Sequence, residues 1–172
     1  MQTRFSAGLL AALSISAFVS LPLTAQAEPP KSLGVFGAWR AYVYAEKNGK
    51  VCYAAALPEK SLNAPKGRGP AAISVTHRTG DKSRDVVSVS IGFPYKKDSK
   101  PELDVGGAKF DLYTQDSTAW THNDKAVVQA MLKGKSVISH ASPAKGADVA
   151  DTFSLDGFAK AYAEIGKACG IK

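Results

Sequence analysis

Between residues 71 and 93 apolar and polar side chains alternate with a period of two, the spacing of half-buried strands. Ile73, Val75 and His77 fall on one face of the first run, with Ser74, Thr76 and Arg78 opposite. After a turn at residues 79–82, Val87, Val89, Ile91 and Phe93 point one way and Ser88, Ser90 and Gly92 the other. Upstream, residues 35–45 place Trp39, Ala41, Val43 and Ala45 on one face and Arg40, Tyr42 and Tyr44 on the other, which predicts a single central strand. The Asn48-Gly49 pair predicts a two-residue hairpin turn, and residues 51–57, with Cys52, return as the partner strand. Residues 58–70 carry proline, glycine and basic residues and read as a loop, and residues 28–31 as a flexible arm. Residues 94–101 form a lysine-rich turn region, followed by short strands around Leu103 and Val105, around Phe110, Leu112 and Tyr113, and ending near Trp120.

The period changes in two places. Residues 124–132 fit both a helix stripe and a strand. Their Ala, Gln, Met and Leu content, with Asp124 able to accept the first free amides, predicts a short helix ended by Gly134. A strand over 136–142 follows. In the last segment Phe158, Tyr162, Ile165 and Cys169 recur at helical spacing, with Ser154 as the N-cap, Asp156 in the first turn and a Phe153–Phe158 staple. Trp39, Phe158, Tyr162 and Ile165 are therefore the expected core.

The first 27 residues change the picture of where the chain works. One charge, Arg4, precedes an apolar run over residues 7–19, and Ala25-Gln26-Ala27 is a small-x-small cleavage pattern. The run is short for a membrane-spanning helix. The expectation is a signal peptide over 1–27, cleavage between Ala27 and Glu28, and one domain over 28–172 in the periplasm or at the outer surface, without a transmembrane span. Two cysteines, Cys52 and Cys169, remain after cleavage, and an even count in an exported chain predicts one structural disulfide between them.

Removing Arg4 leaves 21 basic against 15 acidic residues, a net +6. That balance favours an anionic envelope or host-surface component as partner, or a protein partner, and leaves the oligomeric state open. Nucleic acid is disfavoured because no compact basic stripe is interleaved with aromatics. Lys96, Lys97 and Lys100, with Tyr113 and Trp120, are the candidate contact surface. No phosphate loop, HExxH or GxSxG motif is present. His77, His122 and His140 lie far apart, although His77 and His140 could converge across a sheet. No catalytic residue, cofactor or metal is expected. The alternatives are a periplasmic small-molecule or glycan binder with a cleft near Tyr113 and Trp120, and a hydrolase using a histidine.

The hairpin FGAWRAYVYAEKNGKVCYAA, the segment KGKSVISHAS and the distal DTFSLDGFAKAYAEIGKAC together resemble the invasion-associated locus B family of exported α-proteobacterial proteins. The resemblance implies a mainly β fold, a small immunoglobulin-like β-sandwich with a short helix and a C-terminal helix stapled by the disulfide. It also implies a non-enzymatic envelope or surface role, since the family's namesake is linked to host-cell entry.

Overall fold

A computed structural model describes residues 28–171; the expected leader over 1–27 lies outside them. Eleven strands and two helices follow in the order β1 (Lys31–Phe36), β2 (Trp39–Glu46), β3 (Gly49–Ala56), β4 (Lys60–Leu62), β5 (Ala72–Arg78), β6 (Val86–Ser90), β7 (Glu102–Val105), β8 (Ala108–Gln115), β9 (Thr118–Thr121), α1 (Asp124–Lys133), β10 (Ser136–Ala141), β11 (Val149–Ser154) and α2 (Phe158–Cys169). The protein is mainly β. The expected sandwich takes the form of one antiparallel ladder, β1-β2-β3-β5-β6-β9-β8-β7-β10-β11-β4. The ladder curls so that its ends approach each other. Trp39 on β2 donates its indole N–H to the Ser154 carbonyl at the end of β11 (2.9 Å), and the Ala38 N–H donates to the Asp156 carbonyl (3.1 Å).

Alternation fills the interior. Ile73, Val75, Val87, Val89, Leu103, Ala119, Val137, Val149 and Phe153 are fully or almost fully buried, each on a strand whose other face is partly exposed. Helix α2 packs across β1, β2, β3 and β5, and α1 packs on β6, β7 and α2. Phe158, Ala161, Ile165 and Cys169 form the buried stripe of α2. Tyr162 stays partly exposed, and its hydroxyl donates to the Asp85 carboxylate at 2.5 Å. Cys52 on β3 and Cys169 at the end of α2 are disulfide-bonded with Cα atoms 6.0 Å apart.

Several expectations are corrected by the structure. The stretch 35–45 is the end of one strand, a turn and a second strand. Gly37 turns the chain at φ +55° because it lies against Asp156, whose backbone would be 2.6 Å from any Cβ there. The arm is shorter than expected, since Lys31 already pairs with Val43. The hairpin turn is Lys47-Asn48, one residue earlier than expected. Gly49 pairs with Glu46, and its missing side chain admits Thr79 and Gly80 from the neighbouring turn. Asn123, not Asp124, caps α1. The Asp124 carboxylate instead accepts from the Val87 N–H (2.9 Å) and the Thr121 hydroxyl, tying the helix to the sheet. Ser154 ends β11 and Gly157 precedes α2, so neither the predicted Ser154 cap nor Asp156 in the first turn is realised. Strands β4 and β11 lie where no strand was expected.

Candidate functional site

Three loops that are distant in sequence meet at one end of the sheet, and backbone hydrogen bonds hold them together. The Gly69 N–H donates to the Gly92 carbonyl (3.0 Å), Lys96 to Ser142 (2.9 Å) and Ala144 to Pro94 (3.0 Å). Gly92 adopts φ +73°, and a Cβ on it would sit 2.2 Å from the Gly69 carbonyl oxygen, so only glycine admits this approach. Lys66, Lys96, Lys97, Lys100 and Lys145 project from these loops and are exposed. None takes part in an ion pair among the described residues.

The remaining cation there has a different job. Arg68 lies largely buried against the carboxylate of Asp151 on β11, to which both terminal nitrogens donate, one at 2.9 Å. Its Nε donates to the Ile91 carbonyl (2.8 Å), and its guanidinium lies 5.7 Å from the centroid of the Phe93 ring. Ser61 on β4 donates a further hydrogen bond to Asp151 at 2.6 Å. A buried carboxylate must be paired, and this bidentate pair satisfies Asp151 while bracing the loops against β4 and β11. Burial, and then the Asp151 charge, hold the nearby Tyr95 hydroxyl well above the usual tyrosine range. Above this framework opens a cleft of about 390 Å³, walled by Pro65, Phe93, Pro94 and Pro143 and edged by Lys66 and Lys145.

The other candidate contacts, Tyr113 and Trp120, lie on an open face of the sheet. Their rings stack at 5.9 Å, with His122 packed 5.0 Å from Tyr113. They stand in one row with Arg40, Ala55, Ser74 and Ser88 across six strands. Among the described residues, neither aromatic lines the five best-formed clefts, of 180–580 Å³. The candidate contact residues thus fall in two places, the lysines at the loop end and the aromatics on the sheet.

The histidines do not converge. His140 is exposed on β10, and β6, β9, β8 and β7 separate that strand from β5, which carries His77. His77 is fully buried. Its Nδ1 accepts the Asp85 backbone N–H (3.1 Å), which places its proton on Nε2, and Nε2 has no partner among the described residues. Burial holds its pKa below the ordinary 6.5, opposed by the Asp85 carboxylate and aided by Arg84. The imidazole is neutral in the fold, whereas in the unfolded chain it takes up a proton near 6.5. Stability linked to His77 is therefore complete above that value and is lost as pH falls through it. The melting temperature should drop as pH falls below about 6.5, and His77→Gln should flatten that dependence. An equally steep profile in the variant would assign the effect to other groups.

The matches to known proteins extend across this same framework. A family described as invasion associated locus B (IalB) protein matches residues 39–166, which run from Trp39 through most of α2. The chain belongs to the invasion associated locus B family. No curated protein matches it in sequence. The crystal structure of invasion associated protein B from Bartonella henselae is similar to it with a TM-score of 0.56 at 19% identity, over 82% of this chain and 98% of that one. The match to the invasion associated locus B family takes in the Arg68–Asp151 pair and all three loops of the basic end. Sequence reasoning missed Arg68, Phe93 and Asp151 as a site. The pair is 83 residues apart, and the only available signal was an aspartate in phase with Val149 and Phe153.

Proposed function

We propose that this protein is an exported, non-catalytic binding protein that engages an anionic component of the envelope or of a host-cell surface through its basic loop end. The observation that carries the reading is the gathering of five unpaired lysines from three loops onto one rigid framework. Long-range attraction of this kind raises encounter rates and is screened by salt. An extracytoplasmic location fits the disulfide, and among the described residues no helix is long and apolar enough to cross a membrane. The leader-like residues 1–27 support export in the same way.

Capture from intact envelope and host-membrane extracts should be strong near 0.1 M salt and largely lost near 1 M, where the screening length falls from about 10 to about 3 Å. Lys96→Glu/Lys97→Glu/Lys100→Glu should weaken capture at least tenfold with the thermal midpoint nearly unchanged, because all three side chains are solvated. Capture that is indifferent to both salt and the triple substitution would overturn the reading.

A further inference from the structure

Building on that reading, we propose that the basic loop end docks on a bilayer containing anionic glycerophospholipid, with the lysines on the phosphates and the apolar cleft taking up the lipid. The lysines alone would suit any polyanion. The cleft between them narrows the choice, because its walls are Pro65, Phe93, Pro94 and Pro143 and it offers an anion little besides the rim lysines Lys66 and Lys145. Arg68 also lines the cleft but is largely committed, since four of its five N–H donors are directed at Asp151, Ser61 and the Ile91 carbonyl. A sulfated polysaccharide would therefore leave the apolar walls facing water, whereas an amphiphile satisfies walls and rim together.

A second apolar group extends the surface. Leu62 on β4 is 57% exposed and lines the adjoining cleft beside Lys100 and Ser142, and Ser142 also accepts the Lys96 N–H. Exposed leucine and a proline-walled cleft set among unpaired lysines match the two terms of interfacial binding, apolar insertion and attraction to anionic headgroups. The scaffold is rigid where this requires it. The Gly69–Gly92 contact and the Arg68–Asp151 pair hold the loops in register before any lipid arrives, so little ordering entropy is lost on docking.

The test is co-flotation of the full exported protein with vesicles of phosphatidylcholine alone or with 30% phosphatidylglycerol (a proportion of roughly that order supplies the anionic surface potential), beside retention on immobilised heparin. The anionic vesicles should bind and the neutral ones should not. Lys96→Glu/Lys97→Glu/Lys100→Glu should reduce vesicle partitioning by about a hundredfold, at roughly fivefold per lysine removed. Ala144, which also lines the proline-walled cleft, and Leu62 are exposed, and Ala144→Asn and Leu62→Ser leave charge unchanged. Each should reduce vesicle binding several-fold and leave heparin retention as it was. Equal loss on vesicles and heparin, or none on either, would overturn the lipid assignment while the broader anionic-partner reading stands. Failure to bind vesicles and heparin alike at low salt would overturn both. Complete competition by free glycerol phosphate would reduce the site to a headgroup pocket and also overturn docking on a bilayer. Unchanged melting curves of the two neutral variants ensure that any loss is read as a binding effect.

Discussion

Replacing both Cys52 and Cys169 with Ala should lower the free energy of unfolding by about 4–5 kcal/mol, a large part of the stability of a domain this size. The two cysteines are 117 positions apart, and on the chain-entropy account a crosslink closing so long a loop strongly restricts the unfolded chain. In the folded state the bond joins the end of α2 to β3 where Cys52 pairs with His77. Urea unfolding of the double variant, compared with the oxidised parent, checks this. A loss below about 1 kcal/mol would mean that the unfolded chain is already compact or that the bond works against the fold. Anionic-partner binding should survive once the variant is folded. On β5 the bond lies beside His77, at the opposite end from Ala72 and Ser90, and the loop that begins with Ile91 leaves from that far end.

Phe158→Ala should cost about 3–5 kcal/mol. The ring is fully buried, 4.7 Å from Trp39 and 5.8 Å from Tyr162 by ring centroids, at the point where the ends of the ladder approach. Truncation leaves a cavity that β2 and β11 cannot readily close, because the Trp39 indole is held to the Ser154 carbonyl on the far side. Equilibrium denaturation measures the loss, and near-ultraviolet circular dichroism should show a weakened Trp39 signal. A loss under about 1.5 kcal/mol would show that the site collapses onto the missing ring. Combined with the cysteine substitutions the effects should fall short of additive, because either change loosens the docking of the same helix.

Much of the architecture was legible because burial in a two-layer protein imposes its period directly on the chain. Strands β5 and β6 alternate cleanly and both appear where their apolar residues indicate. The α2 stripe ending in Cys169 and the partnership of that cysteine with Cys52 were equally readable, since helical spacing and cysteine parity are local or countable properties. Strand β11 escaped because its middle inward position is Asp151, which looks like a surface residue until Arg68 is seen beside it. Strand β4 escaped because all three of its side chains are exposed and its identity rests on pairing with β11 alone.

The same division separates the site from the scaffold. By itself the sequence determined a mainly β fold, its net positive charge, its two helices and the residues of its staple, because composition and periodicity carry those properties along the chain. Only the tertiary structure decided that Lys66, Lys96, Lys97, Lys100 and Lys145 share one end of the molecule, that Tyr113 and Trp120 face another surface, and that His77 and His140 stay apart. The physical reason is that a cluster drawn from three loops depends on how the curled ladder closes and on contacts such as Gly69 against Gly92. Such contacts join residues with no periodic relation in sequence, so no local pattern encodes them.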